Sequence, residues 1–339
     1  MGAIAVAAAA VISTSPVVAE TTLTTVTALQ QTNILAKSYL KTFVGAVNAQ
    51  GKGNVQLKYL GGQEVVPPRK AASALKRGQF DVLSAPTAYY IGTVPEGYGL
   101  LAANKGPRAL RANGGFALLR KIYAEKAGAH LLAWGENMTS YNMFLGIKPK
   151  MDKDGLPDLR GVKMRATGTY RPLFRALGAT TINIKSSEII TAMQRGTVQG
   201  FGMTDSSVMA IGLGPVIKYR VQPNFYQTNQ VVTVNLASWA KLTKKEKSLL
   251  EKVSLEYENT SVKFVEAERL AEEVLVKKQG IIDIQLKGAT ALKYLDIAHA
   301  EIWKELKTRS KYHDQLKPLL YTPGKPDRQM DLGDTRLKQ

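Results

Sequence analysis

The chain has 339 residues, 45% of them hydrophobic, with no cysteine, three histidines, and 46 basic residues against 27 acidic, a formal net charge of +19 at pH 7. Zinc ribbons, iron–sulfur centres, thiol enzymes and disulfide-stapled secreted domains all require cysteine and are excluded. The length fits two lobes of roughly 150 residues, each able to bury its own core, and the hydrophobicity excludes a disordered chain.

His130, His299 and His313 lie too far apart for a helical metal motif and read as surface or packing residues, so no metal and no cofactor is expected. The charge is uneven: 26 basic and 11 acidic residues precede Ala240, against 20 and 16 from Ala240 onward. In the first part Lys37, Lys41, Lys52, Lys58, Arg69, Lys70, Lys76 and Arg77 are dispersed, without a run of five and without interleaved aromatics. Nucleic acid is therefore not an expected partner.

The chain opens with the apolar run AIAVAAAAVI, followed by STSP and Val17-Val18-Ala19. Small residues at that spacing suit signal peptidase, so residues 1–19 read as an export signal, too short and interrupted to span a membrane. A periplasmic protein is the expectation. Leu23–Leu29 then reads as a strand, Asn33–Gln50 as a helix broken by Gly51-Lys52-Gly53, and Val55–Leu60 as a strand. The rhythm continues with Pro68–Arg77 helical, Phe80–Ser84 extended, Gly114–Ala127 helical and His130–Trp134 extended. Alternation of this kind predicts an α/β fold whose mainly parallel sheet binds ligands at the carboxyl ends of its strands.

Two segments resemble each other: Ala74–Asp81 (ALKRGQFD) and Ala192–Gln199 (AMQRGTVQ). Each reads as a helix end with Arg in its last turn, a Gly able to take positive φ, and a strand start. One such corner in each half fits two similar lobes facing a cleft. From Thr243 the spacing predicts a long amphipathic helix to about Lys278, and a second from Ala289 to Thr308. The tail after Pro323 has too few apolar residues to pack.

The stretch richest in chemical information is Asp158-Leu159-Arg160-Gly161-Val162-Lys163-Met164-Arg165, then Leu177-Gly178-Ala179, then Ser187 to Gly200. Alternation along Val162–Arg165 separates Val162 and Met164 from Lys163 and Arg165. By spacing alone Arg165 is either a surface residue at a strand end or a cleft residue whose planar fork can hold a carboxylate. Here the sequence resembles the solute receptors of tripartite ATP-independent periplasmic (TRAP) transporters, of the dicarboxylate-receptor type. The pattern is D-L-x-G-x-K-x-R, G-A, S-E-x-x-x-A-x-Q-x-G-x-V-D-G, then an Asn and a Trp, matched here by Asp158–Arg165, Gly178-Ala179, Ser187–Gly200, Asn235 and Trp239. It extends more thinly to Gly61-Gly62-Gln63 and Leu75–Asp81 and covers about residues 22–280.

The resemblance implies a periplasmic-binding-protein-like fold of two α/β lobes with a hinge and a long bracing helix. Lobe I would span 20–141, with 231–265 returning to it. Lobe II would span 142–230, with 266–322 packing on it and 323–339 a loose tail. It further implies a monomeric receptor that closes on a small organic acid, grips its carboxylate with Arg165, and delivers it to the transporter's membrane permease. Asn235 is expected to hydrogen-bond near the ligand or hinge, with Gln63, Thr87, Tyr90, Asn137, Tyr141 and Met203 as further cleft candidates, and Trp239 in a lobe core. The family's Asp after G-x-V is Gln199 here, Met203 stands where the sugar-acid branch carries Asn, Ser186 replaces an aromatic, and Glu136–Asn142 shows no second Arg. A sialic-acid-like ligand is thus not expected. Two other readings stay open on the residues alone: an enzyme acting on a small carboxylic acid, although Walker, G-x-S-x-G and HExxH motifs are missing, or a basic polyanion binder.

Overall fold

The computed structural model describes residues 20–137, 139–185, 188–204, 206 and 208–323. Residues 1–19, expected to be an export signal, the tail from residue 324, and Ser186 and Ser187 lie outside these described residues.

The first lobe begins with β1 (Thr21–Thr27) and α1 (Ile34–Ser38), which a π-helical turn, Tyr39–Val44, joins to α2 (Gly45–Gln50). Asn33 starts this run by accepting the Leu35 N–H on its Oδ1 at 2.9 Å, as an N-cap should. Next come β2 (Val55–Gly61), α3 (Ala71–Lys76), β3 (Val82–Pro86), α4 (Gly97–Leu101), α5 (Pro107–Ala112), α6 (Gly115–Ala127) and β4 (Ala129–Gly135). The second lobe holds β5 (Ser140–Leu145), a short hairpin of β6 (Lys150–Met151) and β7 (Pro157–Asp158), β8 (Lys163–Arg165), α7 (Arg171–Ala176), β9 (Thr180–Ile182), α8 (Ile189–Gln194), β10 (Gly200–Thr204) and β11 (Tyr219–Gln227). The chain then returns through β12 (Gln230–Asn235) and α9 (Leu236–Lys241) to α10 (Lys244–Lys278), and ends with β13 (Ile282–Gln285), α11 (Gly288–Lys307) and α12 (His313–Leu320).

Two sheets result. The first has the order β2-β1-β3-β12-β4, with β1, β2 and β3 parallel and β12 antiparallel to both of its neighbours. The second has the order β13-β11-β5-β10-β8-β9, with β10, β8 and β9 parallel and β5 antiparallel to β10 and β11. Neither sheet is as parallel as the rhythm of elements predicts, because the strands that cross between lobes enter against the grain. Ser140 and Tyr141 already pair with β11, so the second lobe starts before the expected boundary at Asn142.

The two repeated corners are real and equivalent. α3 ends at Arg77 with Gly78 at φ 72°, and α8 ends at Arg195 with Gly196 at φ 67°; each leads directly to a strand of its own sheet. Asp81 and Gln199 close these corners in the same manner. Asp81 Oδ2 accepts the Thr24 N–H at 2.8 Å, and Gln199 Oε1 accepts the Lys163 N–H at 2.7 Å. Both tie a corner to the neighbouring strand, ahead of the strand ends that face the crevice. The Gln in place of the family's Asp is therefore a change of strap, not of ligand contact.

The lobes are joined by the link from β4 to β5, by Thr228–Asn229 and by α10, and the chain crosses again from α11 to α12. The two short crossings are stitched together by Thr228 N–H to Thr139 O at 2.7 Å and Trp134 Nε1–H to Thr228 O at 3.1 Å. α10 starts with a capping box between Thr243 and Glu246. Its first half packs Leu250, Val253 and Tyr257 into the first lobe's core, and Val276 joins a core of the second. In the second lobe, buried Arg220 on β11 clamps Glu273 of α10 and Asp283 of β13, each through two bonds of 2.7–2.8 Å. The segment 266–322, expected to pack on the second lobe, reaches the first lobe as well. α11 lies against α7 and β11 but also against α4, and α12 packs on α4 and α6 of the first lobe. The cause is the apolar face of α12, where Leu316 and Leu320 are buried, and bonds such as Lys105 N–H to Leu320 O at 3.2 Å.

Candidate ligand cleft

The carboxyl ends of the parallel strands of both sheets converge on the crossings, where ligands of open α/β sheets bind. On the first lobe this edge consists of the turns after β1, β2 and β3. Gly62 allows the turn after β2, since a Cβ there would lie 2.2 Å from the Leu29 carbonyl oxygen. That close approach brings Gln63 to the crevice edge, its N–H on Leu29 O at 3.3 Å.

On the second lobe the edge is dominated by Arg165, the last residue of β8. It is 5% exposed, its Nε donates to Ile184 O at 2.9 Å, and its Nη1 leans on Gly202 O at 3.4 Å. No acidic side chain pairs with it among the described residues, although every other Arg with less than a tenth of its surface exposed has a carboxylate partner, Arg220 with Glu273 and Asp283, and Arg269 with Glu266. Burial draws the Arg165 pKa down, opposed by the electrostatic influence of Tyr170 and Tyr89. A guanidinium stays charged under such a shift. Two of its nitrogens are held by carbonyls, which fixes the fork and leaves Nη2 and one Nη1 hydrogen for an incoming anion.

Tyr170 stands beside it. The ring lies flat on Gly202, where a Cβ would come within 2.6 Å of it, and meets Tyr141 edge-on at 5.3 Å between centroids. Burial raises the Tyr170 hydroxyl to about 12, which Arg165 opposes. Tyr89, at the turn after β3, supplies the facing wall from the first lobe. Its hydroxyl is raised by burial and lowered by Arg165 and Arg69, and Tyr89 in turn raises Tyr170. Arg165 thus acts electrostatically on a tyrosine of each lobe.

The other expected residues divide. Tyr141 sits on β5 against Tyr170, as described. Met203 pairs across the sheet with Asn142 and shares the face of Phe201, which is in register with Arg165; it stands half-buried one step nearer the crevice. Thr87 is at the crevice edge but buried, with its hydroxyl bonded to the Asn229 side chain. Asn137 is buried inside the first crossing, with Nδ2 on Trp134 O at 3.2 Å. Tyr90 points away from the crevice into the first lobe's core, where its hydroxyl meets that of Tyr123 at 3.3 Å.

Asn235 requires a correction. It ends β12 at the edge opposite the crevice, a strand length of roughly 15 Å away. Its Oδ1 caps α9 by accepting the Ala237 and Ser238 N–H groups at 2.9 and 3.1 Å, and its Nδ2 donates to Leu75 O at 2.7 Å. An Asn directly before Leu-Ala-Ser-Trp is itself an N-cap signal. Trp239 stacks on His130 at 4.0 Å and packs against the first lobe's core. Sequence reasoning missed Tyr89 and Tyr170. Tyr170 follows Arg165 by five residues at the head of a helix, a usable signal; the choice between adjacent Tyr89 and Tyr90 needs the turn geometry.

The model of bacterial extracellular solute-binding protein family 7 matches residues 26–308. The chain belongs to this family. As a family 7 protein it is 22% identical over 278 residues to a solute-binding protein of Albidiferax ferrireducens, covering 78% of this chain and 80% of the relative. It is 25% identical over 237 residues to a monocarboxylate 2-oxoacid-binding periplasmic protein of Nostoc, covering 64% of this chain and 62% of that one. A TRAP periplasmic solute-binding protein of Sulfitobacter, solved with bound β-D-galacturonate, superimposes with a TM-score of 0.71 at 14% identity, over 88% of this chain and 99% of the other. Proteins of this family are extracytoplasmic receptors of transporters. Among the described residues no helix is long and apolar enough to cross a membrane.

Proposed function

We propose that this family 7 chain is the solute receptor of a TRAP transporter, capturing a small organic acid between its lobes and handing it to the membrane permease. The observation that carries this reading is Arg165, a buried, fixed guanidinium without a counter-ion among the described residues, at the strand ends where the lobes meet. A buried cation without an anion is costly, and a ligand carboxylate repays that cost with two parallel charge-assisted bonds of about 1.5–3 kcal/mol each. The relatives from Nostoc and Sulfitobacter, one named for a 2-oxoacid and one holding a uronic acid, support an acid as the ligand class. Closure about the two short crossings excludes water and strengthens the pair, and reopening releases the acid. Export by the segment 1–19, a periplasmic location and a monomeric state complete the reading. It is a receptor, not an enzyme.

The test is an equilibrium titration of the chain with a panel of mono- and dicarboxylates at two salt concentrations, followed by mass spectrometry of the recovered ligand. Binding at one acid per chain, a shallow salt dependence and unchanged ligand are the expected results. Turnover of the acid would favour the enzyme reading, and a steep salt slope the polyanion reading.

A further inference from the structure

Much of the chain's positive charge lies far from the crevice. At the opposite pole of the first lobe, where β1, β2, β3 and β4 start, six exposed cations gather: Lys52, Lys76, Arg77, Lys241, Lys244 and Lys245. They come from four segments that touch. Asn235 Nδ2 donates to Leu75 O at 2.7 Å and to Lys76 O at 3.4 Å, joining the end of α3 to the start of α9. The Leu236 N–H reaches Gly128 O at 3.1 Å, and a Cβ on Gly128 would lie 3.1 Å from Lys76 Cγ. A Cβ on Gly51 would lie 3.0 Å from Leu249 Cδ2, so the turn that carries Lys52 rests on the start of α10, where Lys244 and Lys245 stand.

None of the six has a carboxylate partner among the described residues. The acids nearby are occupied: Glu20 accepts the Gly53 N–H at 2.6 Å, Asp81 holds the N–H and hydroxyl of Thr24, and Glu246 closes the capping box of α10. The crevice is a strand length away, roughly 15 Å, well beyond the Debye length of about 8 Å in physiological salt. These cations therefore neither pair within the fold nor hold a ligand in the crevice. Their mutual repulsion is a standing cost, which an anionic surface would relieve. Five of the six are lysines, flexible point charges that suit many scattered phosphates better than the planar fork that grips one. Beside them stand the exposed Leu236 and the half-buried indole of Trp239, side chains of the kinds that settle among lipid headgroups.

We propose that this pole docks on the anionic phospholipid surface of a membrane. Held there by its first lobe, the protein keeps its crevice clear of the bilayer and its second lobe free to close. The docking is separate from the acid site and holds whichever acid is bound.

The experiment is cosedimentation of the full chain with phosphatidylcholine vesicles prepared with and without phosphatidylglycerol, at low and at physiological salt. The quantity read is the gain in bound protein that phosphatidylglycerol brings, so any contribution of the N-terminal apolar segment, common to all variants, cancels. Two triple variants are compared: Lys52→Glu, Lys244→Glu and Lys245→Glu at the first-lobe pole, and Lys163→Glu, Arg195→Glu and Lys218→Glu among the exposed cations at the second lobe's pole. The first set falls in a turn and in the first turn of a helix, where carboxylates are favoured, so its melting temperature stays that of the wild type. The gain falls with salt, drops about tenfold or more in the first-lobe variant and less than about twofold in the second. Changing the same three first-lobe lysines to Gln lowers the gain in the same direction by a smaller factor. Absence of a gain in the wild type, an equal loss in both triple variants, or a gain insensitive to salt overturns the proposal. Duplex DNA bound more tightly than the vesicles at equal phosphate overturns the choice of a lipid surface.

Discussion

Arg165 at the strand ends and Glu136 in the first crossing are both buried ionisable groups without an ion-pair partner among the described residues, and the protein treats them in opposite ways. Glu136 is fully buried, adopts a left-handed φ of 48°, and accepts bonds of 2.7 and 3.0 Å from the Tyr257 hydroxyl of α10. Its backbone N–H reaches Ser261 of the same helix at 3.0 Å, and its carbonyl receives Thr228 of the second crossing. One residue thus joins the two short crossings to α10. Burial raises its pKa to about 8, so at neutral pH it takes a proton and sheds its charge. Arg165 has no such escape, because a guanidinium does not deprotonate in a protein. The difference teaches which buried charge is structural and which awaits a partner from solution.

This contrast can be broken in four ways, from the largest effect to the smallest. Glu136→Ala removes the residue that ties the crossings, leaves the Tyr257 hydroxyl unpartnered and opens a cavity; a loss of about 3 kcal/mol in denaturant unfolding is expected. Gly202→Ala drives a methyl to within 2.6 Å of the Tyr170 ring, and the ring must move. A destabilisation of about 1–3 kcal/mol, with weaker acid binding by titration, is the expected outcome.

Glu136→Gln acts on pH dependence. The carboxyl binds its proton more tightly in the folded state, at about 8, than at its ordinary value of 4.5. Its contribution is complete below 4.5 and is lost as the pH rises through 8. Melting temperatures of the wild type measured across that window should fall with rising pH relative to those of Glu136→Gln; parallel curves would contradict the assignment. Tyr90→Phe removes only the 3.3 Å contact with Tyr123, costs under about 1 kcal/mol and leaves acid affinity intact.

How much of this was legible beforehand depends on the range of the interaction. The long helix α10 and the corner repeats follow from local periodicity and capping, and the structure places them within a residue or two. The position of Arg165 at a strand end was legible because alternation and a spaced motif agreed, while its burial was not. Asn235 was misread because a motif position says nothing about which end of a strand meets the crevice; that depends on β12 running against β3. Tyr89 and Tyr170 were missed because their common neighbour, Arg165, is brought to them only by tertiary folding. The packing of α12 on the first lobe escaped for the same reason, since an amphipathic helix does not name the surface it covers.

The central claim is that the Arg165 guanidinium is kept buried for an anion from solution. The most direct measurement is the affinity of Arg165→Met for the bound acid, set beside its melting temperature without ligand. The account predicts at least a tenfold loss of affinity with a melting temperature equal to or above that of the wild type, because an uncompensated buried charge has been removed. Affinity equal to the wild type, or a large loss of stability without ligand, would contradict it.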